Sequence, residues 1–111
     1  EKLLSESNEV QLIRQKEVER YISLQQAKVS KNWISRENFL GRNLSTKLEI
    51  RLARDGRVIS ASIVKSSGDD GLDISAKNAV LKASPLPVPD DDKTFETFIR
   101  YKFTFRPDQL T

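Results

Sequence analysis

The sequence predicts an α+β fold in which a long N-terminal helix and a second, short helix pack on one face of a three-stranded antiparallel sheet. Apolar residues recur first at helical spacing and then, in three later segments, alternate with polar residues at strand spacing. Strands with one polar face leave one side of the sheet for the helices and the other for water. With 111 residues, 37% of them apolar, the chain suits one domain with one core.

The first helix is predicted at residues 8–33, which contain neither Gly nor Pro. Its inward stripe at i, i+3, i+4 spacing consists of Val18, Tyr21, Ile22, Gln25, Val29 and Trp33. We expect Tyr21 and Trp33 to lie against the sheet through this stripe, while the charged opposite face is solvated. Residues 1–7 are expected to be the end of an upstream spacer, and residues 8–111 are expected to form the domain.

Two strands and a hairpin are predicted next. Residues 46–52 alternate between aliphatic and charged side chains, so one face of this strand belongs to the core. An Asp-Gly pair at 55–56 predicts a tight turn, because Gly adopts positive φ without steric penalty. The second strand follows at 58–65, and its two adjacent apolar residues at 58 and 59 predict a β-bulge near Ile59.

A short second helix is predicted after residue 69, with Asp70 as its N-cap and Asp73 in its first turn. It ends before the prolines at 85, 87 and 89. The third strand is predicted at 98–105, ending before Pro107. Its core-facing side chains are expected to be Ile99, Tyr101, Phe103 and Phe105, with Phe98, Arg100, Lys102 and Thr104 on the polar face. The expected strand order is second, first, third, which leaves the third strand at an edge.

The composition argues against catalysis. The chain contains no Cys and no His, which removes the disulfide framework, the usual zinc ligands and the commonest general base. The acidic cluster at 69–73 lacks the ligand spacing of a calcium loop, and the cluster at 90–92 fits a solvated turn. We therefore expect no enzymatic activity, no metal and no cofactor.

A nucleic-acid-binding module is one alternative. Cations that could contact phosphates are Lys47, Arg51, Arg54, Arg57 and Lys65, and Phe98 and Tyr101 could offer stacking faces. The net charge of only +3 and the core-like alternation of the aromatic residues favour a domain that does not bind nucleic acid. A structural spacer with a coiled-coil arm is a further alternative, but residues 10–33 do not keep an apolar heptad.

The run at residues 48–58, with its Asp-Gly turn, resembles the TonB/TolA C-terminal domain family. The Ser-Ser-Gly-Asp segment at 66–69, the proline series and the closing strand with Phe105-Arg106-Pro107 fit the same family. The long first helix is similar to that of the TolA branch, since TonB-type chains reach the domain through proline-rich sequence. Some TolA domains carry a disulfide between the first strand and the second helix, where this chain has Leu48 and Asn78.

The resemblance implies a periplasmic protein-interaction domain of an inner-membrane-anchored protein in the Tol-Pal envelope-integrity system. The anchor would lie upstream of this chain. The implied partner is a TolB-type periplasmic protein, and filamentous phage minor coat proteins and the translocation domains of group A colicins would exploit the same domain. The alternative within the family is a TonB-type energy-transducing domain.

Partners are expected to add a β-strand to the edge of the third strand, because an edge exposes backbone groups that any extended peptide can pair with. The expected binding residues are Phe98, Ile99, Arg100, Tyr101, Lys102, Phe103, Thr104 and Phe105. Arg100 and Lys102 are expected to discourage self-association of the free edge and to pair with acidic partner residues when it is occupied.

Overall fold

The fold consists of three helices and three strands, seen in a computed structural model that describes residues 8–33 and 36–108. In chain order the elements are α1 (Asn8–Lys31), β1 (Thr46–Leu52), β2 (Val58–Lys65), α2 (Asp70–Lys82), α3 (Asp92–Phe95) and β3 (Tyr101–Phe105). Single 3₁₀ turns occupy Arg36–Phe39 and Glu96–Phe98. The predicted upstream spacer, residues 1–7, lies outside the described residues.

The three strands form one antiparallel sheet in the order β2-β1-β3, which confirms the predicted topology. Leu48 in the central strand lies opposite Ile63 of β2 and Phe103 of β3, so these three side chains share the inner face. Helix α2 packs over β2 and β1. Helix α1 lies over β3, where Gln25 accepts a hydrogen bond from the Tyr101 hydroxyl.

The core lies between the sheet and the two long helices. The aliphatic residues of β1 and the aromatic residues of β3 are buried, and so are the small residues of α2 that let this helix approach the sheet closely. Trp33 lies two residues after the end of α1 and packs edge to face against Phe105, with ring centroids 5.8 Å apart. Its predicted position against the sheet is therefore confirmed. Tyr21 is half-buried at the rim of the core, in a groove that also includes Pro89 and Thr94.

Strand β2 contains two bulges. The pairing moves from Leu52 opposite Val58 to Arg51 opposite Ser60, so Ile59 is the extra residue and the predicted bulge is confirmed. A second, unpredicted bulge inserts Val64 at the far end of the strand. Because each bulge shifts the alternation by one residue, Ile59 and Val64 both lie on the solvent face of the sheet, with 59% and 47% of their surface exposed.

The predicted start of the third strand is wrong. Strand β3 begins at Tyr101, whereas Phe98 closes a 3₁₀ turn and is fully buried, and Ile99 is 50% exposed. The reason is a helical turn that begins with Asp91, whose carboxylate accepts a hydrogen bond from the Thr94 N–H at 2.9 Å. This turn brings the Phe98 ring edge to face onto Tyr101, with centroids 5.0 Å apart.

Two smaller predictions are also corrected. The N-cap of α2 is Asp69, whose side chain accepts hydrogen bonds from the Gly71 and Leu72 N–H groups, while Asp70 is the first helical residue. Phe98 and Tyr101 offer no stacking faces for nucleic-acid bases, because both side chains are buried in the core.

Candidate functional site

The sheet has two edges, and the edge of β2 is partly occupied. The Val58 N–H donates to the Ser84 hydroxyl at 3.0 Å, and the Leu86 N–H donates to the Gly56 carbonyl at 2.8 Å. The segment after α2 therefore covers the beginning of this edge. The two bulges interrupt the remainder, and bulges discourage pairing with a further strand.

The edge of β3 differs, because no strand within residues 8–33 and 36–108 pairs with its outer side. The hairpin shows which backbone groups point outward. The Ala53 N–H donates to the Arg57 carbonyl at 2.9 Å, so odd-numbered residues of β1 direct their backbone groups toward β2. Even-numbered residues of β1 consequently direct theirs toward β3.

This alternation divides β3 into two sets of residues. Tyr101, Phe103 and Phe105 lie opposite even-numbered residues of β1 and use their backbone groups in the ladder with β1. Lys102 and Thr104 direct their N–H and C=O groups to the open side. The open edge therefore presents two donors and two acceptors to an incoming strand.

The inner side of β3 is held firmly. The Tyr101 hydroxyl donates to Gln25 Oε1 at 2.7 Å, and Gln25 Nε2 donates in turn to the Pro87 carbonyl at 2.9 Å. Burial raises the pKa of Tyr101, so the phenol stays protonated and remains a donor. Phe103 stacks on Phe105 with centroids 4.6 Å apart. Such packing keeps the strand extended before a partner arrives.

Helix α1 provides a surface beside this edge. Lys28 donates to the Pro85 carbonyl, so this flank of α1 faces the segment that follows α2. Helical spacing places Ile22 and Gln26 on the opposite flank of α1, and both are half-buried. This flank offers an aliphatic and an amide group.

The solvent side of the same edge is basic. Lys102 is exposed, and Arg100, just before the strand, places its Nε 3.6 Å from a carboxylate oxygen of Glu49 on β1. Thr104 is half-buried. Of the eight residues predicted to bind partners, the structure thus places five in the edge strand. Ile99 and Arg100 precede it as exposed residues, and Phe98 is buried in the core.

No group of three or more acidic side chains in the described part of the chain lies close enough to hold a metal ion. A groove of about 440 Å³ lies between the end of α1 and α2, where the apolar side chains of Phe39 and Ile74 line it together with polar groups of Asn32, Ser75 and Asn78. None of the described helices is both long and apolar enough to cross a lipid bilayer.

The chain was then compared with known proteins. The TonB C-terminal family model matches residues 18–105, from within α1 to the end of β3. A solution NMR structure of TolAIII bound to a peptide derived from the N-terminus of TolB superposes with a TM-score of 0.67 at 28% sequence identity, covering 81% of this chain and 74% of that chain. No curated protein matches the sequence. Because the family model spans most of the chain and all three strands, this protein belongs to the TonB C-terminal domain family, and it shares the α+β fold of TolAIII.

Proposed function

We propose that this chain is the periplasmic, partner-binding C-terminal domain of a TolA-type protein and that it binds a TolB-type protein by strand addition to β3. The observation that carries the proposal is the outward direction of the backbone groups of Lys102 and Thr104 at an edge to which no described strand is paired. The likeness to TolAIII, solved with a TolB-derived peptide, supports the same class of partner.

Typical hydrogen-bond energies show how much binding free energy has to come from side chains. Four backbone hydrogen bonds at about 0.5–1.5 kcal/mol each contribute about 2–6 kcal/mol. Micromolar binding requires about 8 kcal/mol. Side chains must provide the difference, and we propose that they do so on Ile22 and Gln26 inside the edge and on Lys102 outside it. A partner strand with apolar residues on one face and acidic residues on the other fits both surfaces.

The wider role follows from the same proposal. A TolA-type domain would belong to an inner-membrane-anchored protein of the Tol-Pal system, with the anchor upstream of this chain. Phage minor coat proteins and colicin translocation domains would use the β3 edge, since backbone pairing places few demands on sequence. The domain would act by binding alone, without catalysis. The long α1 and the TolAIII likeness favour this assignment over a TonB-type energy-transducing domain.

Two proline substitutions in β3 test the proposal, one at a residue whose N–H points to the open edge and one at a residue whose N–H points to β1. Thr104→Pro removes an outward N–H and spares the ladder with β1, whereas Phe103→Pro removes an N–H from that ladder. We expect Thr104→Pro to keep the circular dichroism spectrum and to lose affinity for a synthetic TolB N-terminal peptide by at least tenfold. We expect Phe103→Pro to unfold the sheet.

Thr104→Ala is the matched control, because it removes the side chain and keeps the backbone N–H. It should bind the peptide within about threefold of the wild-type affinity, as expected for a small change at a solvent-facing position. A folded Thr104→Pro variant that binds with wild-type affinity would contradict strand addition at this edge.

A further inference from the structure

The sheet face opposite the helices carries a concentration of positive charge that the β3 edge explains only in part. We call it the basic face; its charged residues are Lys47, Glu49, Arg51, Lys65, Arg100 and Lys102. Five cations and one carboxylate give this face a net charge of +4, whereas the whole chain carries +3. The rest of the molecule is therefore slightly acidic.

Two cations of this face form a repulsive pair, although Lys102 lies opposite Glu49. Lys47 lies directly opposite Lys65 in the pairing of β1 with β2. Like charges in this position destabilise a sheet. Within the described ranges, the only ion pair of 4 Å or less on the face joins Arg100 to Glu49. Because the repulsion between the two lysines reduces stability, its presence on an exposed face indicates that this face serves binding.

The two bulges of β2 add aliphatic side chains to the same face. Ile59 lies next to Ser60, the partner of Arg51, and Val64 lies next to Lys65. In a regular strand, adjacent side chains point to opposite faces. The bulges are therefore needed for Ile59 and Val64 to share a face with Ser60 and Lys65. The basic face therefore combines cations with two exposed aliphatic groups.

This combination favours one class of partner. Protein interfaces are depleted in lysine and serine at their centres, yet Lys47, Ser60 and Ser62 belong to this face. Single-stranded nucleic acids require exposed aromatic rings, and the aromatic residues of β3 point into the core. Cations beside aliphatic groups are the combination that binds the interface of an anionic bilayer, where phosphates lie above acyl chains.

We propose that the basic face docks the domain on an anionic phospholipid surface. The cations contact lipid phosphates, and Ile59 and Val64 enter the boundary between headgroups and acyl chains. This proposal goes beyond partner binding at β3, because the free backbone groups of β3 point along the sheet and not out of its face. The domain can therefore hold a partner strand while it is docked.

Co-sedimentation with lipid vesicles tests the proposal. We expect the domain to bind vesicles of phosphatidylethanolamine and phosphatidylglycerol and not vesicles of phosphatidylcholine alone. Lys47→Gln with Lys65→Gln should weaken this binding by about 30-fold, since each lysine near an anionic surface contributes about fivefold. The double variant should fold as well as the wild type, because the substitution removes a repulsive pair.

Two further variants make the test specific. Lys77→Gln with Lys82→Gln changes the net charge equally on α2, in the other layer, and should leave vesicle binding within about twofold. Ile59→Ser with Val64→Ser should weaken binding to anionic vesicles even when the charges are unchanged. Peptide binding at β3 should be unaffected by any of these changes, which separates this proposal from the proposed function.

Three results would overturn the inference. The first is no sedimentation with anionic vesicles. The second is an equal loss of vesicle binding in the α2 variant and in the Lys47 and Lys65 variant. The third is binding to duplex DNA or to polyglutamate that is as tight as binding to the vesicles, which would assign the face to another class of polyanion.

Discussion

At the scale of single residues, the carboxylate of Asp73 joins three elements. It accepts hydrogen bonds from the Thr46 hydroxyl at 2.8 Å, from the Ser67 N–H at 3.0 Å and from the Ser66 and Ser67 hydroxyls. These contacts connect the first turn of α2 to the start of β1 and the end of β2. Burial alone would raise the pKa of Asp73, but the hydrogen bonds outweigh it and lower the pKa to about 2.

Asp73→Asn is therefore expected to destabilise the domain by about 2 kcal/mol at neutral pH, the equivalent of the pKa shift from 3.8 to about 2. Because the pKa is lowered in the folded state, this contribution is complete above pH 4 and is lost as the pH falls toward 2. Urea denaturation at several pH values measures it. The difference between wild type and variant should shrink below pH 4, and a difference independent of pH would contradict the account.

Trp33 gives a second prediction at this scale. It is 5% exposed, and its indole N–H donates to the Ser75 hydroxyl, so it fastens the end of α1 to both α2 and β3. Trp33→Ala should lower the free energy of unfolding by about 3–5 kcal/mol in chemical denaturation. Leu12→Ala is the control, because Leu12 is 52% exposed on α1 and should change stability by less than about 0.5 kcal/mol. Equal losses would show that α1 does not pack on the sheet in this way.

At the scale of elements, the hairpin and the segment after α2 meet at Gly56. Its φ is +94°, and a Cβ built there would lie 2.1 Å from the carbonyl oxygen of Leu86. Gly68 has the same φ, but a Cβ built there would have no heavy atom of the described structure within 4 Å other than those of the adjacent residues. Substitutions at the two glycines therefore distinguish the effect of backbone conformation on stability from the effect of steric contact.

Gly68→Ala should destabilise the domain by about 1–2 kcal/mol, the strain of a left-handed conformation for a residue with a Cβ. Gly56→Ala adds the clash with the Leu86 carbonyl, which only a movement of the backbone can relieve. It should therefore lower the free energy of unfolding by at least about 2 kcal/mol more than Gly68→Ala does. Thermal or urea denaturation of both variants provides the comparison. A similar loss of stability in the two variants would show that the segment after α2 can move away from the added Cβ at little energetic cost.

The sequence allowed β1, β2, their hairpin, α2 and the strand order to be predicted, because each has a local signal. The bulge at Ile59 was found from two adjacent apolar residues, and the same signal at 63–64 could have revealed the second bulge. The start of β3 was missed because Ile99, Arg100 and Tyr101 continue the alternation of the strand backwards. Only the Asp91 cap and the i, i+3 spacing of Phe95 and Phe98 distinguish a helical turn from a strand there.

The proposed binding edge could be predicted only in part. Alternation in the third strand identified the strand and its buried face, and the topology placed it at an edge. The sequence could not show which backbone groups of β3 point outward. That depends on whether odd-numbered or even-numbered residues of β1 face β2, and the hydrogen bond between Ala53 and Arg57 in the hairpin decides it. The sequence also could not show that the segment after α2 covers the beginning of the other edge, which is a tertiary contact without a local pattern.

At the scale of the whole molecule, the three sides of the sheet have different chemistry. The inner face is apolar and covered by helices, the β3 edge carries unsatisfied backbone groups, and the outer face is basic. Binding of partners at the β3 edge, as we propose, would be separated from the core, so partners could vary without loss of stability. Strand addition at β3 requires that Lys102 and Thr104 face an open edge.

Amide hydrogen exchange measured by NMR, with and without a TolB N-terminal peptide, tests this claim most directly. In the free domain the amides of Lys102 and Thr104 should exchange rapidly, while those of Tyr101, Phe103 and Phe105 should be protected by the ladder with β1. Saturating peptide should slow exchange at Lys102 and Thr104. Unchanged exchange at both amides, or new protection at Ala61 and Ile63 on β2 instead, would contradict strand addition at β3.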